Sequence, residues 1–244
     1  MGIRISIITA CFNSAKTIRG TIESVLKQEY PNYEYILVDG GSTDDTVQII
    51  ASYLPAFDGK MKYISEKDDG IYDAMNKGIR MATGDIVGLI NSDDYLEPGC
   101  FQAVADAWQE GEKYQILYGM LRFLNPEGEE LEIRMSHHRN MKNQMIYHPA
   151  TYVSRSVYTD LFMYDLQYRY SSDLDFLLKA AECGKIAFYP IYRILSNFRY
   201  GGASFSKAAA LETNDVRYKH GLISRRAHTI FRIGEAVRSL FGAR

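Results

Sequence analysis

Over the first hundred residues, short runs of β-branched and other apolar residues alternate with longer segments whose apolar positions recur every three or four residues. The short runs, at residues 3–9, 35–39, 61–65 and 86–90, predict strands. Between the first two, Ile18, Ile22, Val25 and Leu26 form one stripe of a helix that Asn13-Ser14 is placed to cap. Asp44 and Asp45 fall in the first turn of the next helix, where the helix dipole favours an acid. Strands alternating with helices of this length predict a mainly parallel, Rossmann-like α/β sheet flanked by helices. Each strand ends in a polar cluster: Thr9-Ala10-Cys11-Phe12-Asn13, Asp39-Gly40-Gly41-Ser42 and Asn91-Ser92-Asp93-Asp94. Open α/β sheets hold their ligands at the carboxyl ends of strands, so the three clusters are expected along one edge.

Near residue 100 the rhythm changes. A helix over 100–110, a strand over 116–123 and a hairpin turn at Asn125-Pro126-Glu127-Gly128 predict an α+β second half reaching residue 206. Nine tyrosines lie between Tyr147 and Tyr200, and Gly201-Gly202 follows as a loop suited to closing over a ligand or to a plain turn. Residues 207–244 form a tail in which Ile223, Ala227, Ile230, Gly234, Val237 and Phe241 share one helical face, with Arg225, His228 and Arg232 turned away. Such a basic amphipathic helix fits docking on its own domain, on a second subunit as a homodimer, or on an anionic membrane surface.

Charge follows this division. Residues 1–206 hold 20 Lys and Arg against 27 Asp and Glu, whereas residues 207–244 hold 8 against 3. With a net charge of -2 the chain lacks the basic excess of a nucleic-acid binder. Cys11, Cys100 and Cys183 are too far apart for a paired-thiol zinc site and read as buried small hydrophobes. The opening apolar run is too short for a signal-peptide core, and no stretch approaches the roughly 18 to 20 apolar residues of a membrane span. A cytoplasmic location, at most against the inner face of a membrane, is expected.

Two adjacent carboxylates after a buried strand need compensation from a cation or from hydrogen bonds. Taken alone, Asp93-Asp94 reads more readily as a helix-capping turn than as a metal site. The surrounding motifs reverse that preference. Ser6-Ile7-Ile8-Thr9 with Asn13, Val38-Asp39-Gly40-Gly41-Ser42-Thr43-Asp44, the stretch from Ser65 through Asp68-Asp69-Gly70-Ile71-Tyr72-Asp73-Ala74-Met75-Asn76-Lys77-Gly78, and Asn91-Ser92-Asp93-Asp94 together resemble the family 2 glycosyltransferases of GT-A fold. The likeness is strongest to bacterial surface-polysaccharide transferases. It is dense over the first hundred residues and returns at Ser172-Asp173 and Gly201-Gly202-Ala203-Ser204.

The resemblance implies an inverting transfer of a sugar from a nucleoside-diphosphate sugar to a hydroxyl of a glycan or lipid-linked acceptor. Residues 1–100 would bind the nucleotide sugar, and residues 101–206 the acceptor and base. By the same resemblance Thr9, Asn13 and Asp39 hold the nucleoside, and Asp68, Asn76 and Lys77 line the nucleotide pocket. Asp93 touches ribose or donor sugar, and Asp94 ligates Mg²⁺ or Mn²⁺. Asn91 stands where the family carries its first acidic residue. Asp173 matches the base position, with Ser172 in place of the usual Glu and Asp175 as the alternative carboxylate. His148 falls where related sequences carry a His. On residues alone, Asp39 also reads as closing a Gly40-Gly41 turn, Asp68 and Asp173 as helix-start acids, and Lys77 as a solvated face residue. A sugar-phosphate nucleotidyltransferase would need a Gly-rich basic loop after the first strand, which Thr9-Ala10-Cys11-Phe12-Asn13 is not. A glycan- or nucleotide-binding protein without turnover is the other alternative, with Asn91 and Ser172 as its marks.

Overall fold

The computed structural model describes residues 2–201 and 206–240. Strands β1 (Ile5–Cys11), β2 (Tyr33–Asp39), β3 (Met61–Ser65) and β4 (Ile86–Leu89) run parallel in the order β3-β2-β1-β4. Helices α1 (Ile18–Leu26), α2 (Thr46–Tyr53) and α3 (Ile71–Met81) occupy the crossovers. Both faces of this sheet are covered, which is why β1 and β2 read as continuous apolar runs. Ile5, Ile7, Tyr35 and Leu37 pack on the side of α1, whereas Ile8, Ala10, Ile36 and Val38 pack against Met75 and Ile79 of α3.

The start of α1 differs from expectation. Thr17 precedes the helix without a side-chain cap. Asn13 instead adopts a left-handed φ of 48°, a conformation that Asn tolerates, and its Oδ1 accepts from the Thr43 N–H at 2.9 Å. The polar pair therefore fastens the loop after β1 to the loop after β2.

The second half adds β5 (Tyr95–Leu96), α4 (Cys100–Ala107), β6 (Gln115–Leu124), β7 (Glu130–Arg134), β8 (Thr151–Ser154), α5 (Arg155–Asp160), α6 (Ser172–Glu182) and β9 (Ala187–Arg199). The sheet continues β4-β8-β6-β9-β5, with β7 on β6, so it runs without a break past residue 100. Here pairing is mixed: β6–β9 is parallel, while β4–β8, β6–β8, β6–β7 and β5–β9 are antiparallel. The expected hairpin joins β6 to β7. Gly128 sits at φ 92° and donates to the Asn125 carbonyl at 3.0 Å.

Helices α7 (Lys207–Lys219) and α8 (Arg225–Leu240) follow. The apolar stripe of α8 is present but faces outward: Ile230 is 69% exposed and Ile233 58%. Its polar side does the docking, since Asp215 of α7 accepts from Arg232 and from His228 at 2.7 Å and Tyr218 stacks on His228. The hydrocarbon face is left exposed. Phe241 lies outside the described residues, as do Gly202, Ala203 and Ser204. Among the described residues no helix is long and apolar enough to cross a membrane.

Candidate active site

Parallel register sets the first wall. Cys11 of β1 pairs with Asp39 of β2, and Asp39 with Ser65 of β3, so three strand ends finish level with one another. The loops above them are laced together: Asn13 N–H donates to Ser42 Oγ at 2.8 Å, Ser14 N–H to Thr46 Oγ1 at 2.7 Å, and Ala15 N–H to Asp44 at 3.1 Å. Ser14 Oγ also meets Ser92 Oγ at 2.8 Å, tying this lattice to the acidic stretch. Burial and the Asp39 carboxylate push the Cys11 thiol well above its ordinary value, with smaller contributions from Asp68 and Asp44. Three carboxylates thus surround one strand end.

Asp39 is fully buried and already employed. One oxygen accepts from Gly41 N–H at 3.1 Å, Ser42 N–H at 3.0 Å and Ser65 Oγ at 2.7 Å, and the other accepts from the Ser42 hydroxyl. Asp68 reaches the same place from the β3–α3 loop. A Cβ on Gly40 would run into its carboxylate, so that close approach requires glycine. Asp39, Asp68 and Asn13 are therefore brought together.

Three other expected residues are not. Thr9 shares the face of Ile5 and Ile7, is fully buried, and pairs with Tyr35 Oη at 3.0 Å in the core under α1. Asn76 exchanges two hydrogen bonds with the backbone of Tyr164, at 2.9 and 3.2 Å, clamping α3 to the second half. Lys77 is spent on Glu66, Asp73 and the Lys67 carbonyl at 2.9 to 3.3 Å. These side chains support the wall from behind.

In the acidic stretch the two carboxylates differ. Asp94 is only 1% exposed. Its oxygens accept from Arg199 N–H at 3.0 Å and Asn91 Nδ2 at 2.8 Å, and its carbonyl accepts from Thr21 Oγ1 at 2.7 Å. Burial, and then the charge of Asp93, push its pKa up to about 7. Asp93 is half-buried, and burial raises its pKa too, opposed by the nearby Arg199 guanidinium. No other described residue donates a hydrogen bond to the Asp93 carboxylate. Two adjacent desolvated carboxylates with a charge deficit around them suit a divalent cation. Among the described residues no group of three His, Cys, Asp or Glu could hold a metal ion, so such an ion would take most of its ligands from substrate and water.

Asp173 stands in the first turn of α6. Its Oδ1 accepts from Tyr72 Oη at 2.8 Å and from Leu174 N–H at 2.9 Å, while Oδ2 has no partner among the described residues. Tyr72 keeps its proton, because burial and then the Asp173 charge raise its pKa well above normal. A cavity of about 10 Å³ joins Asp173 to Leu89, the last residue of β4, and to His148 and Tyr158. Asp173 and the end of β4 thus share one small cavity, and the acidic stretch follows that strand. The buried His148 Nε2 has no partner, and burial lowers its pKa against the opposing Asp173 charge, which favours the neutral imidazole. The alternative carboxylate is otherwise engaged: Asp175 is 1% exposed and lies against Lys179 at 2.6 Å, Lys219 at 3.1 Å and His220 at 3.0 Å. It locks α6 to the end of α7.

Two contributors had no assigned role in sequence. Tyr72 lay within a quoted motif without signalling that it would reach Asp173, 101 positions away. Glu212 of α7 accepts from the N–H groups of Arg169, Tyr170 and Ser171 at 2.6 to 2.9 Å, fixing the approach to α6.

The model for "Glycosyl transferase family 2" matches residues 6–166. A PGL/p-HBAD biosynthesis glycosyltransferase of Mycobacterium bovis is 29% identical over 205 residues, covering 82% of this chain and 78% of that one. An uncharacterized glycosyltransferase of Mycobacterium tuberculosis is 32% identical over 182 residues, covering 72% and 68%. Among solved structures, Staphylococcus aureus TarS residues 1–349 with UDP-GlcNAc superposes with a TM-score of 0.71 at 18% identity, over 91% of this chain and 68% of that one. Mannosyltransferase PcManGT from Pyrobaculum calidifontis, in complex with GDP-Man and Mn²⁺, gives 0.68 at 17% identity, over 92% and 66%. At such identities the structural likeness establishes the shared fold.

Proposed function

The chain belongs to glycosyl transferase family 2 and is a glycosyltransferase of GT-A fold, and from that premise we propose that it moves a sugar, with inversion, from a nucleoside-diphosphate sugar to a hydroxyl of a glycan or lipid-linked acceptor in surface-polysaccharide synthesis. What supports this reading is that Asp173, with one unengaged oxygen, lines the same small cavity as Leu89 at the end of β4, the strand that leads to Asp93. Acceptor base and donor diphosphate would then sit on opposite sides of one anomeric carbon, the arrangement a single displacement needs.

In this mechanism Asp173 Oδ2 accepts the proton of the acceptor hydroxyl as its oxygen attacks. Tyr72 holds the other oxygen and so fixes the carboxylate plane. Asp39, Asp68 and the loop backbone at Gly40 and Gly41 shape the nucleoside end. We assign the ligand role for Mg²⁺ or Mn²⁺ to Asp93 rather than Asp94, because Asp94 has both oxygens turned to Arg199 and Asn91. When bound, the ion supplies positive charge against the departing diphosphate. Asn91 acts as a donor that holds Asp94 in place.

A thermal-shift panel of UDP, GDP, CDP and TDP sugars with and without Mn²⁺ tests this, since a ligand specific to the folded state raises its melting point. One nucleoside series should stabilise the protein in a Mn²⁺-dependent way. Asp93→Asn should lose that dependence with its ligand-free melting point kept, whereas Asp94→Asn should keep the dependence, with a ligand-free melting point at pH 7 equal to or above the parent's because a disfavoured buried charge is removed. If no nucleotide sugar binds or is hydrolysed, the reading is dropped. A Mn²⁺ response surviving in Asp93→Asn would sink the ligand assignment alone.

The outward apolar face of α8, with Arg225, Arg226, Arg232 and Arg238 on the same helix, supports an acceptor presented at an anionic lipid surface. Co-sedimentation should find the protein on phosphatidylglycerol vesicles and Ile230→Asp in the supernatant. Equal recovery on neutral and anionic vesicles would argue against it.

A further inference from the structure

Beyond the donor wall the molecule has a second concavity, a cavity of about 230 Å³ between residues 141–145, the first turn of α6, and α7. This is smaller than the roughly 300–1,000 Å³ of a drug-sized ligand site, and so suits one sugar ring rather than an extended chain. Its wall is amphipathic: Met141, Met145, Leu174 and Leu222 give an apolar surface, and the Ser171 and Thr213 hydroxyls, 2.9 Å apart, give a polar rim. Asp173 is also part of the lining.

The charge distribution around this cavity is uneven. Lys142 and Arg217 both line it, and neither side chain has an ion pair or hydrogen bond among the described residues. Asp173 shares the lining, with one oxygen held by Tyr72, and the other acids of α7 and the first turn of α6 are already committed. Glu212 caps three backbone N–H groups, Asp215 is held by Arg232 and His228, and Asp175 is held by Lys179, Lys219 and His220. Arg217 is half-buried and Lys142 exposed, and both belong to the cavity lining. A half-buried Arg without a carboxylate partner favours an anion, most strongly one with two oxygens to match its fork.

We propose that this cavity binds the accepting sugar unit and that the unit carries an anionic group, a phosphate or a carboxylate, held by Arg217 and Lys142 while its hydroxyl meets Asp173. The inference rests on the glycosyltransferase reading and names the acceptor class for it.

Titration by ligand-observed NMR tests it with three probe sets: hexose 1-phosphates, methyl hexuronides, and matched neutral methyl hexosides. At least one anionic set should bind about tenfold more tightly than its neutral counterpart. Arg217→Gln and Lys142→Gln should each reduce that preference while leaving the neutral sugars unchanged, and Lys185→Gln, an exposed charge outside the cavity, should not. The phosphate and uronate arms identify which anion is recognised. Equal binding of charged and neutral sugars, no binding of either anionic set, or an Arg217→Gln effect no larger than that of Lys185→Gln overturns the proposal. Nucleotide-sugar thermal shifts run on the same proteins keep the two readings apart. Intact donor shifts with no anion preference defeat this inference alone, and absent donor shifts defeat the donor reading whatever the sugars do.

Discussion

At the carboxyl ends of β1 to β3 nearly every polar side chain already has a partner inside the protein, whereas the cavity between α6 and α7 keeps two cations and a carboxylate oxygen unengaged. The two regions therefore solve different problems. A donor site must hold its shape before the nucleotide arrives, and hydrogen bonds such as Asp39 to Ser42 and Ser65 fix loops that would otherwise have to be ordered on binding. On the proposed reading the cavity takes the acceptor and needs reactive groups that stay available, so its order comes from behind, through Tyr72, Glu212 and the Asp175 cluster.

The largest effect that would sharpen this contrast is expected at Asp173. Asp173→Asn keeps the acceptor oxygen for Tyr72 but removes the base, and turnover should fall by about 10²- to 10⁴-fold, roughly 3–5 kcal/mol in the barrier. Donor-induced thermal shifts should be unchanged. Near-normal turnover would place the base elsewhere.

Asp39→Asn comes next. It puts an NH₂ group against donors that Asp39 now satisfies, and should cost about 2–3 kcal/mol of stability together with donor affinity. Loss of nucleotide binding at an unchanged melting point would break the comparison, because Asp39 would then read the base without building the wall.

The smallest effect is expected at Glu34, at the opposite ends of the same strands. Burial raises its pKa, but hydrogen bonds from Ser6, Lys62 and Thr83 outweigh that and hold it down to about 2, against an ordinary 4.5. With the folded pKa below the unfolded one, its stabilisation is complete above about pH 4.5 and is lost as pH falls toward about 2. Glu34→Gln should cost about 1–2 kcal/mol at pH 7 with catalysis intact, and the gap from the parent protein should narrow in denaturant titrations near pH 3. A catalytic defect would show that the amino edge is more than scaffold.

Much of the architecture was legible in sequence because hydrophobic period reports burial directly. β3 and the hairpin turn after β6 fell where expected, and the stripe of α8 was found, although not the direction it faces. The candidate site was legible as a set of loops rather than as a set of side chains. Thr9 was expected at the nucleoside, yet alternation could not place it, since both faces of β1 are buried and either parity reads the same. Asn76 sat within a dense motif but serves Tyr164, 88 positions later.

Sequence by itself determined the parallel α/β half, the three polar strand ends on one edge, and the acidic stretch after β4, because each follows from local periodicity and strand direction. Only the tertiary structure decided which of two adjacent carboxylates stays open, which of Asp173 and Asp175 is consumed, and that Lys142 and Arg217 share a cavity. The reason is physical: a buried polar group is defined by its partners, and here those partners, Arg199, Tyr72, Lys219 and His220, come from distant parts of the chain.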